Sequence, residues 1–115
     1  MTTETRRAPR LPVPALIPVR DQMTGAVIGR LSNVSETGML LIASEPLHDD
    51  ALYQLQFAIP DGRGGNATID VGVHLLWREP AQAPDQSWVG FRFLTLDNAH
   101  RERLVKWIEA SLPAG

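Results

Sequence analysis

The stretch YQLQFAI at residues 53–59 decides the fold class, because apolar side chains at every second position are typical of a half-buried β-strand. The stretch IDVGVHLLW at 69–77 repeats the alternation, so its odd-numbered residues through Trp77 are expected to face the same core. The intervening segment 60–66 (PDGRGGN) predicts a hairpin connection. A third alternation, VGFRF at 89–93, follows a proline-containing loop. This half of the chain therefore predicts antiparallel strands.

The segments before residue 53 predict shorter strands. Ala15–Val19 and Ala26–Leu31 are separated by a turn signal, and Met39–Ala43 is a continuous apolar run suited to a buried strand. Six closely spaced strands of this kind favour an antiparallel barrel or sandwich. We expect residues 15–115 to form one domain, preceded by a flexible arm at 1–14 that is rich in proline and arginine.

The last segment changes from the strand period to the helix period. Asp97 is a suitable N-cap, and Leu104, Ile108 and Leu112 recur at helical spacing. This pattern predicts one amphipathic helix that closes over the sheet, with Trp107 sealing its edge. No tryptophan is expected in a ligand site.

Composition and charge narrow the classes of function. The chain has 115 residues and no cysteine, which excludes disulfides and thiolate chemistry and fits a cytoplasmic protein. Residues 1–20 carry four arginines against one acid, whereas residues 21–115 carry seven basic and twelve acidic residues. A basic arm on an acidic domain favours a small anion over DNA or RNA. A barrel that binds single-stranded nucleic acid would instead need a basic groove with exposed aromatic residues.

Nothing in the sequence favours an enzyme or a cofactor. His48, His74 and His100 lack partners at metal-ligand spacing. The triplet at 48–50 (HDD) could hold a metal ion, but a solvated turn explains it better. Ser35 lacks the G-x-S-x-G context of an activated nucleophile. We therefore expect no catalytic residue and no metal site.

Two short motifs remain to be explained. The arm contains Arg6-x-x-x-Arg10, and the connection between two predicted strands contains Asn33-x-Ser35-x-x-Gly38. A basic arm is often only solubilising, and asparagine, serine and glycine are ordinary turn residues. Neither motif is specific alone. Their order and spacing, with the strand pattern and the final helix, resemble the PilZ domain family, bacterial receptors for cyclic di-GMP.

The resemblance extends from about residue 6 to residue 112 and implies a six-stranded antiparallel β-barrel with a C-terminal helix. It implies that Arg6 and Arg10 contact the phosphates and the Hoogsteen edges of the guanines, with Arg7 in support. An arginine can donate two parallel hydrogen bonds to either group. Some members have a further arginine where this chain has Thr5, and its absence disfavours a stacked ligand dimer.

The resemblance also assigns roles to the second motif. Asn33, which is often aspartate in the family, and Ser35 would hydrogen-bond a guanine from the barrel surface. Gly38 would permit a tight turn with a positive φ that brings the backbone close to the ligand.

The function implied is a cyclic di-GMP receptor whose arm becomes ordered over the ligand and signals to an unidentified partner protein. No metal, no further cofactor, no nucleic acid and no membrane span are expected. The alternative is a PilZ-like protein-interaction module that binds no nucleotide.

Overall fold

A computed structural model describes residues 10–13 and 16–112. Its elements, in chain order, are the strands β1 (Leu11–Pro12), β2 (Pro18–Asp21), β3 (Val27–Val34), β4 (Gly38–Ala43), β5 (Leu52–Pro60), β6 (Asn66–Pro80) and β7 (Ser87–Thr95), and the helix α1 (Asn98–Ser111).

Six of these strands close into an antiparallel barrel in the order β3-β2-β5-β6-β7-β4, with β4 pairing back onto β3. The two-residue β1 lies beside the C-terminal half of β3, while β2 lies beside the N-terminal half. β1 and β2 thus occupy the same edge of β3. The predicted six-stranded barrel with a C-terminal helix is confirmed.

The predicted alternation fills the barrel. Residues 55, 57 and 59 of β5, and residues 69, 71, 73 and 75 of β6, are all buried. The ring of Tyr53 meets that of Phe91 edge-on, with the ring centroids 6.1 Å apart. These inward-pointing apolar side chains form the core of the barrel.

The helix α1 begins and packs as the sequence predicts. The Asp97 carboxylate accepts a hydrogen bond from the backbone N–H of His100 at 2.9 Å, which is N-cap geometry. Leu104 and Ile108 are buried, and Trp107 packs half-buried against the core. The helix therefore covers one end of the barrel.

Replacing the N-cap residue Asp97 should destabilise α1 and so weaken its packing on the barrel. We expect Asp97→Ala to lower the free energy of unfolding by about 1 kcal/mol, because a first-turn N–H loses its acceptor. Urea denaturation measures the change, and Asp85→Ala in the loop after β6 is the control, expected to change stability by less than about 0.5 kcal/mol. Equal midpoints for the two variants would mean that the cap does not stabilise the helix.

Candidate ligand-binding site

A row of four residues crosses the outer surface of the barrel. The strand register pairs Asn33 of β3 with Leu40 of β4, Leu40 with Gly90 of β7, and Gly90 with Trp77 of β6. The next row along these strands consists of buried residues: Val34, Met39, Phe91 and Leu75. Since neighbouring residues of a strand face opposite sides, the first row faces outward.

Two β-bulges flank this row. The register shifts between Leu31 and Asn33 in β3, and between Leu75 and Trp77 in β6. A bulge inserts one extra residue and re-aims the side chains that follow it. The prediction that Trp77 packs in the core is therefore wrong: Leu76 is the extra residue, and the Trp77 side chain is 43% exposed.

Gly90 gives the Trp77 indole its position on the sheet. A Cβ atom at Gly90 would overlap the indole ring, including its Nε1 and Cε2 atoms. Without a side chain at this position, the ring lies directly against strand β7. Trp77 thus presents an aromatic surface that the strand pattern alone did not reveal.

Arg10 and Asn33, one from each motif, are in contact. β1 pairs with the end of β3 through Leu11 with Val34 and Pro12 with Asn33, which places Arg10 at the row. The Nη1 atom of Arg10 donates to the Oδ1 atom of Asn33 at 2.7 Å. Both residues line a cleft of about 240 Å³, together with Met39, Leu40, Leu76, Trp77, Gly90 and Phe91.

Ser35 lies beside this cleft but does not line it. Its side chain is 1% exposed, and its Oγ accepts from the backbone N–H groups of Thr37 at 3.2 Å and Gly38 at 3.3 Å. Its own N–H donates to the Gly38 carbonyl at 2.9 Å. The hydroxyl predicted to bind guanine is thus used within the turn, where it fixes the connection from β3 to β4.

Gly38 differs from the prediction in its backbone conformation. The described glycines with positive φ are Gly25, Gly62 and Gly64, so the expected positive-φ turn at Gly38 is wrong. Gly38 is instead the first residue of β4, where an added Cβ would overlap the carbonyl oxygen of Phe91. The missing side chain permits close approach of β4 to β7, and the predicted contact of Gly38 with a ligand stays a prediction.

Arg6 and Arg7 lie outside the described residues, as does most of the arm at 1–14. Their predicted contacts with a ligand stay predictions.

The aspartates of the triplet at 48–50 make protein contacts. Asp50 Oδ1 lies 2.5 Å from the Nε2 atom of His74, and Asp49 forms an ion pair with Arg78 at 2.6 Å. The hydrogen bond from Arg78 holds the pKa of Asp49 below its ordinary value. Over residues 10–13 and 16–112, no group of three or more histidine, aspartate or glutamate side chains could hold a metal ion.

A known protein family matches nearly the whole chain. The family model of the PilZ domain matches residues 4–110. The chain belongs to the PilZ domain family. Its PilZ match includes the arm residues Arg6 and Arg10 and the turn from Asn33 to Gly38, and it ends within α1. No curated protein sequence matches the chain significantly.

Solved bacterial structures share the fold at low sequence identity. The inhibitor of motility MotI/DgrA of Bacillus subtilis matches with a TM-score of 0.75 and 12% identity, over 91% of this chain and 49% of that one. The PilZ domain of YcgR from Escherichia coli, solved with c-di-GMP, matches with a TM-score of 0.63 and 17% identity. The match covers 91% of this chain and 92% of that one. A longer YcgR structure, also a c-di-GMP complex, matches with a TM-score of 0.65 and 19% identity, over 91% of this chain and 45% of that one. The chain thus spans about half the length of MotI and of the longer YcgR.

One further observation concerns membranes. None of the helical residues that the structure describes forms a segment both long and apolar enough to span a bilayer.

Proposed function

We propose that this chain is a cyclic di-GMP receptor and that the cleft beside Arg10, Asn33 and Trp77 holds one guanine of the ligand. The contact between Arg10 and Asn33 carries the proposal, because it brings together the two halves of the family motif. The c-di-GMP complexes of YcgR support the same ligand class through a shared fold.

The chemistry of the cleft suits a guanine with a phosphate beside it. Arg10 is exposed and makes one hydrogen bond among the described residues, whereas a guanidinium has five N–H donors. The remaining donors match guanine O6 and N7 or two phosphate oxygens. Asn33 adds an amide that can both donate to and accept from the edge of a base.

The size of the cleft indicates how the arm contributes. A volume of about 240 Å³ is below the range of about 300–1,000 Å³ typical of small-molecule pockets. The cleft can therefore cover only part of a dinucleotide, and the arm residues before Arg10 would cover the rest. In this arrangement Arg6 meets the ligand from the side opposite the barrel.

Ligand binding would then change the surface that the protein offers to others. Pinning the arm across the ligand creates a composite surface of arm, nucleotide and barrel that the free chain does not have. A separate downstream protein in the cytoplasm would recognise that surface and transmit the signal.

Isothermal titration calorimetry with cyclic di-GMP tests the proposal, with GTP and cyclic di-AMP as controls. We expect heat with cyclic di-GMP alone and one ligand per chain, since Thr5 replaces the further arginine of some members. No heat with cyclic di-GMP would favour the alternative, a PilZ interaction module that binds no nucleotide.

Trp77 should contribute by stacking on the guanine. A base stacked on an aromatic side chain is worth about 1–3 kcal/mol, so we expect Trp77→Ala to weaken cyclic di-GMP binding about tenfold or more. Trp77→Phe keeps an aromatic surface and should lose less. If Trp77→Ala binds as tightly as the parent protein, the indole only packs on β7 and the guanine lies elsewhere.

A further inference from the structure

A second and larger concavity lies between the hairpin that joins β5 to β6 and the outer face of α1. Its volume is about 970 Å³, and its walls come from residues 60–68 and from one face of the helix. Thr68 and Trp77 are nine positions apart on β6, which separates this groove from the cleft by about 30 Å along the strand. It is therefore not part of the proposed nucleotide site.

The groove is basic in a domain that is otherwise acidic. Arg63 of the hairpin and Arg103 and Lys106 of the helix line it, and Asp61 is the only described acidic residue in its wall. These three cations form no salt bridge with any carboxylate in the part of the chain that the structure describes. Across residues 21–115, by contrast, twelve acidic residues outnumber seven basic ones.

Asp61 forms no salt bridge with these cations, and its carboxylate is hydrogen-bonded within its own loop. It accepts from the backbone N–H of Arg63 at 2.7 Å and from that of Gly65 at 3.1 Å. These bonds hold the pKa of Asp61 below its ordinary value. The wall of the groove thus carries three basic side chains against one carboxylate.

The helix gives the groove an apolar floor beside its charges. Arg103 lies three and four residues before Lys106 and Trp107, and Ala110 lies four and three residues after them, so the four residues share one helix face. Trp107 is half-buried against the core, and the small side chain of Ala110 leaves space above the helix. A ligand in this groove would meet an indole flanked by cations.

We propose that this groove docks an acidic segment of a partner protein, with carboxylates on Arg63, Arg103 and Lys106 and an apolar side chain over Trp107. Charge complementarity selects the acidic partner, because three cations against one carboxylate, beside an apolar floor, match alternating acidic and apolar residues. Extended polyanions fit less well, since the acidic remainder of the domain would repel them. The proposal does not depend on nucleotide binding at the cleft.

The test uses the whole chain and a fluorescein-labelled peptide of alternating glutamate and leucine. Fluorescence anisotropy should show saturable binding, while ¹H–¹⁵N spectra should show shifts confined to residues 60–68 and 103–111. We expect Arg103→Glu combined with Lys106→Glu to weaken binding about tenfold or more, because two attractive charges become repulsive. Arg30→Glu reverses one charge at an exposed β3 residue outside the groove, rather than two within it, and should bind as the parent does.

Three results would overturn the proposal. Equal weakening by Arg30→Glu would show nonspecific attraction, and tighter binding of a single-stranded oligonucleotide or of anionic vesicles would show another class of partner. Spectral shifts at residues 33–40 would place the peptide in the cleft instead. Circular dichroism of each variant separates loss of binding from loss of the helix.

Discussion

Arg10→Ala is expected to reduce cyclic di-GMP affinity at least about a hundredfold while the barrel stays folded. A hydrogen bond to a charged group contributes about 1.5–3 kcal/mol, and a guanidinium can make two such bonds to one guanine or phosphate. The substitution also removes the donor that contacts Asn33, so both halves of the motif lose a partner. Since Arg10 is exposed, its loss leaves no cavity in the core.

Matched variants separate what the charge of Arg10 contributes to affinity from what its planar guanidinium contributes. Arg10→Lys keeps the charge without the planar fork and should bind between the parent and the alanine variant. Arg20→Ala removes an exposed arginine whose Nη1 donates to the Gly25 carbonyl, away from the cleft, and should not change affinity. Calorimetry gives the affinities and urea denaturation the stabilities. If Arg10→Ala and Arg6→Ala both bind like the parent, the proposed site is wrong.

The barrel was predictable from the sequence because a strand's burial pattern repeats every two residues and needs no knowledge of distant parts of the chain. The alternation pattern fails at Trp77, which it places in the core although the side chain lies on the outer surface. A bulge shifts the register by one residue, and every side chain after it changes face. The only signal in the sequence is the run Leu75-Leu76-Trp77, in which three apolar residues interrupt the strict alternation.

The candidate site was predictable only in part, for a related reason. Order and spacing joined the two motifs, and the structure brings Arg10 and Asn33 into contact. The sequence could not show that the Ser35 hydroxyl bonds within its own turn, or that Gly38 lies against Phe91, more than fifty residues later. Both depend on how β4 pairs with its neighbours, which local residue types do not determine.

Gly38→Ala is expected to destabilise the barrel by about 3 kcal/mol, near the upper end for overpacking. The added Cβ would meet the backbone carbonyl of Phe91, and backbone cannot rotate away as the end of a side chain can. β4 must then move away from β7 at its first residue, where Gly38 pairs with Arg92. That movement also disturbs the hydrogen bonds that Ser35 makes with Gly38.

Gly62→Ala is the control that distinguishes close approach from backbone conformation. Gly62 has φ +81° and no atom within 4 Å of the position that a Cβ would occupy, so alanine there costs only about 1 kcal/mol of left-handed strain. Urea midpoints should therefore order the proteins as parent, Gly62→Ala and Gly38→Ala, from most to least stable. If Gly38→Ala were no less stable than Gly62→Ala, β4 and β7 would have room to separate, and the glycine of the motif would be retained for the ligand rather than for the sheet.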